Sequence, residues 1–199
     1  MHPNRTFHWD DHAAIRNLVR EVAFGALFTG TPDGPRVVHL PAVWLEDATL
    51  GLHLARGNGI ARWADDATAL FVVQGPDGYV SPDWYGEGPA RVPTWNYVTV
   101  ELEGVLRRLD RAGLRAQIVQ LGNEQESRLP KPPWTLDKVD PRSVEAMLDA
   151  IVGYRLEITA WRGTLKLGQN KSEAARHGAA EGLAASGRTA IAQWMRAVS

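Results

Sequence analysis

Apolar and polar positions along the chain alternate with two different periods, and these divide it into strands and helices. Ile15, Leu18, Val19 and Val22 recur at helical spacing behind Asp10 and Asp11, either of which can cap, so a helix is predicted to about Val22. Phe24 to Thr29 reads as a short buried strand, and Thr31-Pro32-Asp33-Gly34-Pro35 as a turn. Val37 to Leu45 and Leu50 to Ala55 flank Glu46-Asp47-Ala48-Thr49 as a hairpin, and Ala69 to Gln74 is a further buried strand. From Asn96 to Leu106, Val98, Val100 and Leu102 alternate with Thr99, Glu101 and Glu103, which predicts a half-exposed strand. Tyr154 to Trp161 alternates in the same way; Arg162-Gly163 then reads as a turn and Thr164 to Leu167 as the next strand. Further helices are predicted from Asp110 to about Gln125, from Ser143 to Val152 with a stop at Gly153, and from Lys171 to Val198 with a break near Ser186-Gly187. The fold class that follows is α+β, mainly antiparallel β.

The hairpin carries a register expectation. A turn centred on Asp47 and Ala48 sets Leu45 opposite Leu50, Val43 opposite Leu52 and His39 opposite Arg56. His39 and Arg56 would then converge beside Gly57-Asn58-Gly59, a glycine-flanked loop with the makings of a phosphate cradle. The structural alternative pairs Arg56 with a surface carboxylate and leaves His39 a satisfied strand histidine.

One stretch fits neither period. Gln74 to Val100 sets Tyr79, Trp84, Tyr85, Trp95 and Tyr97 among prolines, glycines, Ser81, Thr94 and Asn96. Neither a helix nor a simple half-buried strand wants this pattern. Flat rings beside small polar groups suit a planar ligand, or a rigid loop that closes a barrel or a dimer.

Composition narrows the chemistry. The chain has 199 residues, which fits a single domain over 1–199 with 171–199 a C-terminal helical segment. It has no cysteine, which excludes disulfides, thiolate metal sites and cysteine nucleophiles and is consistent with the cytoplasm. The formal net charge of −1, with acids and bases interspersed, shows no basic face of the kind that drives phosphate-backbone binding. No apolar run approaches the roughly 20 residues that span a bilayer, and the N-terminus lacks the apolar core of a signal peptide. No Walker loop, dinucleotide fingerprint, HExxH or GxSxG occurs. Ser81 has no nearby histidine base, and the six histidines have no metal-ligand spacing. Lys166, Gln169 and Asn170 can donate to an anion or to ring heteroatoms, or simply finish a barrel edge.

Gln74-Gly75-Pro76-Asp77-Gly78-Tyr79-Val80-Ser81-Pro82-Asp83-Trp84-Tyr85 and Val92-Pro93-Thr94-Trp95-Asn96-Tyr97 resemble the PaiB-type family, described as FMN-binding negative transcriptional regulators. His39-Leu40-Pro41, His53-Leu54-Ala55-Arg56-Gly57-Asn58 and Lys166-Leu167-Gly168-Gln169-Asn170 match in the same order, so the resemblance runs nearly end to end. It departs at Asn58, where Gly59 replaces the family's proline and Trp63 is displaced. It departs again at Asp77, where histidine is common, and at Ala174 and Ala175, where an acid is usual. The resemblance implies an FMN-binding split β-barrel with peripheral helices, a homodimer with flavin near the subunit interface, and DNA as a partner. It nominates His39, His53, Arg56, Asn58, Thr94, Trp95, Asn96, Lys166, Gln169 and Asn170 as cofactor-binding. Haem is the alternative cofactor, because related split barrels include haem proteins resembling piperazate synthases; His39 or His53 would then be the axial ligand. A cofactor-free dimeric scaffold is the third reading.

Overall fold

The alternation around Val98, Val100 and Leu102 becomes the middle of a long strand, and the other segments are arranged in the same sheet. The computed structural model describes residues 2–86 and 92–198, so residues 87–91 of the predicted Gly/Pro-rich link lie outside the described residues. The elements in chain order are β1 (His8–Trp9), α1 (His12–Val22), β2 (Phe24–Thr31), β3 (Gly34–Glu46), β4 (Thr49–Ala55), β5 (Thr68–Val80), β6 (Thr94–Arg108), α2 (Arg111–Glu126), α3 (Pro141–Asp149), β7 (Ile151–Lys166), α4 (Glu173–Ala185) and α5 (Thr189–Ala197). The seven strands run in the order β1-β7-β4-β3-β2-β5-β6, and β7 also pairs with β6, so the sheet closes on itself. The pairings β1–β7, β2–β3, β2–β5, β3–β4 and β4–β7 are antiparallel. Contacts group the chain into two compact units. The first comprises Met1–Leu18, Val73–Glu101 and Arg162–Ser199; the second comprises Val19–Val72 and Leu102–Trp161.

In the second unit, β2 and β3 pair from Phe24 opposite Pro41 to Thr31 opposite Gly34. Gly34 makes the turn at φ +103°, a conformation that suits glycine. Phe71, Leu27, Leu50, Leu52, Leu102, Leu106, Tyr154 and Leu156 are fully buried here. Gly104 lies against the Glu157 carbonyl so closely that no side chain fits, which brings β6 and β7 together. Trp44 stacks on Trp161 with ring centroids 5.4 Å apart and planes 4° from parallel. A smaller cluster of Leu114, Val144 and Leu148 joins α2 to α3. Asp110 caps α2 at Gly113 N, and Asp140 caps α3 at Ser143 N.

In the first unit, α4 and α5 pack on one another, with Ala179, Ala180, Leu183, Ile191, Ala192 and Met195 buried. Ser172 caps α4, and Gly187 at φ +85° sets the break before α5. Small residues permit the close packing: Gly182 meets the Trp84 ring, and Gly78 meets Leu183 and Ile191.

Four expectations are corrected. A register shift between Trp44 and Glu46 replaces the regular hairpin: Trp44 opposes Leu50, Val43 opposes Gly51 and Ala42 opposes Leu52. Gln74 to Val80 is strand after all, because Gly75 and Gly78 clear space for Val98 and Leu183. The helix before Gly153 stops at Asp149, and Ile151 already belongs to β7. Arg162-Gly163 is not a turn: β7 continues through it, and Gly163 is needed because Trp9 of β1 pairs opposite it, with the Trp9 carbonyl 2.6 Å from where a Cβ would stand. The chain's glycines thus often mark close approaches.

Candidate functional site

The first unit contains a cavity of about 340 Å³, within the usual range for small-molecule sites. Thr94 and Asn96 enter it from the start of β6, two residues apart and therefore on one face of the strand. Lys166 enters from the end of β7. The chain then turns at Gly168, whose φ of +87° calls for glycine, and delivers Asn170 and Lys171 to the same cavity. Buried Tyr85 and Phe7 supply aromatic wall, and His2 and Asn4 complete the rim.

Lys166 is the best-positioned polar group. Its ammonium donates to Thr94 Oγ1 at 2.6 Å and to the Trp95 carbonyl at 2.8 Å. An ammonium has three N–H groups, so one is left for a ligand. Burial pulls its pKa below the ordinary lysine value. The Lys171 ammonium sits 5.5 Å from the Tyr85 ring centroid, a cation–π distance.

The pleat removes Trp95 from the cavity. Its indole, on the opposite face, lies edge-on to Tyr79 at 6.0 Å and donates to Asp77 Oδ1 at 3.1 Å, so only its carbonyl takes part through Lys166. Asp77, where the family commonly has histidine, also accepts from Gln74 Nε2 at 3.0 Å. Gln169 is occupied by its own turn: its amide donates to the Leu165 carbonyl at 2.7 Å and accepts from Leu167 N at 2.9 Å. That closure holds Gly168 and Asn170 in place. Buried Asn96 directs Nδ2 to Met195 Sδ at 3.3 Å. Of the six candidates in this unit, Thr94, Asn96, Lys166 and Asn170 therefore meet at the cavity. Lys171 and Tyr85 join them; both lie in or beside the motifs, and their aromatic and cationic character was the available signal. Phe7, His2 and Asn4 carried none.

The second unit holds the other four candidates and does not gather them into one cluster through the hairpin. His39 is exposed on β3 and opposes Ala26 of β2. The register shift beside Leu45 removes the reason to set it opposite Arg56. Arg56 donates from Nε to the Asp149 carbonyl at 2.6 Å and from Nη2 to the Ile151 carbonyl at 3.2 Å. It lines a hollow of about 270 Å³ together with Arg108 and Arg111. Asn58 Oδ1 accepts from Ile60 N at 3.0 Å and so shapes its own loop. His53 opposes Gly153 of β7; its Nδ1 is sealed from solvent with no partner among the described residues, and burial lowers its pKa.

The donor set of the first unit's cavity fits a planar heterocycle that carries a negative charge. The cavity combines aromatic wall for a ring, amide and hydroxyl groups for heteroatoms and two lysines for a negative charge, and no carboxylate lines it among the described residues. Neither His39 nor His53 lines it.

Residues 1–160 match a family model described as "Putative FMN-binding domain". The protease synthase and sporulation protein PAI 2 of Bacillus subtilis (strain 168) is 30% identical over 164 residues, which cover 80% of this chain and 77% of that protein. In fold the chain is similar to the flavocytochrome Anf3 of Azotobacter vinelandii, with a TM-score of 0.60 at 17% identity over 84% of this chain and 73% of that one. It is also similar to the FAD and heme binding protein of Mycobacterium smegmatis, with a TM-score of 0.56 at 16% identity over 81% and 74%. No helix among the described residues is long and apolar enough to cross a membrane. The matched stretch contains the His-Leu-Pro, Trp-Tyr and Thr-Trp-Asn-Tyr segments, and the closed antiparallel sheet is the architecture it leads one to expect. The chain belongs to the PaiB-type family of proteins with an FMN-binding split-barrel domain.

Proposed function

We propose that this protein binds FMN in the cavity of the first unit and acts as a flavin-dependent redox protein or flavin-responsive regulator. The observation that carries the reading is Lys166, held by Thr94 and the Trp95 carbonyl beside Tyr85, in a chain of an FMN-binding family. Bound flavin supplies the electron-transfer chemistry. The chain's own residues orient and tune it: Lys166 and Lys171 balance negative charge, Asn170 and Thr94 offer hydrogen bonds, and Phe7 and Tyr85 keep water from one side.

A homodimer is part of the proposal. The pleat of β2 puts Phe24, Ala26 and Phe28 on one face, and the register sets Val37 and Leu70 opposite Phe28. Phe24, Phe28 and Val37 are 51%, 40% and 47% exposed, a concentration of large apolar groups that suits a subunit contact. A second copy of the same face satisfies it by two-fold symmetry. DNA binding rests on the family description, and the charge balance lends it no support.

One observation favours haem as the second reading. His53 keeps an unpartnered ring nitrogen and burial lowers its pKa, which suits an axial ligand, but it lines neither the first unit's cavity nor the Arg56 hollow, so haem ligated by it would need a site of its own. The absorption spectrum of protein purified without added cofactor, repeated after FMN or haemin, separates the two. Two broad flavin bands with FMN released on denaturation support the first reading. A Soret band lost in His53→Ala supports the second, and no binding of either cofactor leaves the scaffold reading.

A further inference from the structure

We propose that Arg176 is the buried cationic anchor for the anionic end of the ligand in the first unit's cavity, and that it makes the site select phosphorylated over unphosphorylated flavin. This rests on the flavin reading above. Arg176 lies in the first turn of α4, beyond the stretch that matches the family model. It is only 9% exposed, and its Nε is sealed from solvent with no hydrogen-bond partner among the described residues. The neighbouring acid, Glu173, points at His177, 4.0 Å away.

The position of Arg176 ties it to the cavity. Gly168 and Asn96 both line the cavity. A Cβ at Gly168 would stand 3.7 Å from Arg176 Cγ and 3.9 Å from Asn96 Nδ2, so the arginine stem packs directly against that wall. Lys166 and Lys171 bracket Gly168 in sequence and line the same space. Arg176 itself does not line the cavity; its stem lies behind Gly168, and the two lysines that do line it have no carboxylate beside them in the cavity wall among the described residues. Burying a cation without a counter-charge is costly, and a guanidinium satisfies phosphate oxygens in pairs. A phosphate monoester supplies both the charge and the acceptors that this arrangement lacks. FMN and riboflavin differ by that group alone, so their ratio reads the site.

The test compares FMN and riboflavin binding by fluorescence titration in the wild type, Arg176→Gln and Arg176→Met, and records the melting temperature of each protein with inorganic phosphate. Wild type is expected to prefer FMN, and loss of the cation is expected to weaken FMN by about ten- to a hundredfold while leaving riboflavin unchanged. Phosphate is expected to raise the wild-type melting temperature and not that of either variant. Equal loss of both flavins, or an FMN preference that survives without the arginine, overturns the proposal and leaves Arg176 a packing residue. If wild type binds neither flavin, the flavin reading fails. The phosphate shift then decides the anion site alone: present in wild type and lost in the variants supports it, absent in wild type sinks it. Arg176→Gln keeps a polar, though shorter, side chain and carries the comparison if Arg176→Met does not fold.

Discussion

Lys166 and Thr94, 72 residues apart in sequence, meet at 2.6 Å between Nζ and Oγ1. The contact joins the end of one strand to the start of another and fixes where the ammonium stands. Removing the charge in Lys166→Met is expected to weaken FMN by about ten- to a hundredfold, whereas Thr94→Val costs less because the Trp95 carbonyl still holds the lysine. Burial lowers the Lys166 pKa, so FMN affinity should also fall as pH rises through that lowered value, before an exposed lysine would titrate. Equal affinity in wild type and Lys166→Met would remove this residue from the site.

Gly163 is expected to resist substitution. An alanine Cβ would stand 2.6 Å from the Trp9 carbonyl and 3.0 Å from Ile15 Cδ1, so Gly163→Ala should cost about 1–3 kcal/mol in urea melts. Gly30 is the control: nothing lies within 4 Å of its Cβ position, and Gly30→Ala should be neutral or stabilising by about 0.5 kcal/mol. Similar effects at both positions would show that the pairing of β1 against Gly163 is loose.

His53 should give the protein an acid-sensitive component. Its folded pKa is lowered from 6.5 by burial, so between the two values the unfolded chain binds more protons. Stability from this group is therefore complete above the unfolded value and declines as pH falls through the window below it. Melting temperatures of wild type and His53→Gln across about pH 7 to 5 check the sign. Parallel slopes in the two proteins would refute it.

The joint between α2 and α3 separates two kinds of contact. Leu148 is buried with Leu114 and Val144, and Leu148→Ala should cost about 2–5 kcal/mol. Arg111 reaches Glu145 and Asp149 across the same joint, but all three side chains are exposed. Arg111→Ala should therefore cost far less than Leu148→Ala, because solvent screens an exposed pair. Chemical denaturation of both variants ranks them, and the reverse order would mean that charge, not packing, holds the joint.

The Phe24, Phe28 and Val37 face predicts the oligomeric state. Phe28→Lys places a charge at the centre of that face and should convert a dimer to a monomer with little change in monomer stability. Sedimentation equilibrium of the wild type and the variant decides the point; a variant that stays dimeric moves the interface elsewhere.

Sequence periodicity alone determined α1, the strand from Asn96 to Leu106 and the break between α4 and α5, because local pattern and local capping suffice for elements that bury one face. The aromatic and Lys-Leu-Gly-Gln-Asn motifs also named four of the groups that meet at the cavity. Tertiary structure decided the rest. Gly163 carries the same local chemistry whether it turns a chain or lets a neighbouring strand pair closely, and only Trp9 distinguishes the two. Trp95 belongs to a binding motif by sequence, yet the pleat turns its ring away and leaves its carbonyl to hold Lys166. Gln169 reads as a donor until its own turn consumes both ends of its amide. Arg176 gave no signal in sequence, because whether a cation is partnered depends on what lies within a few ångströms of it, and that is set by packing between residues distant in the chain.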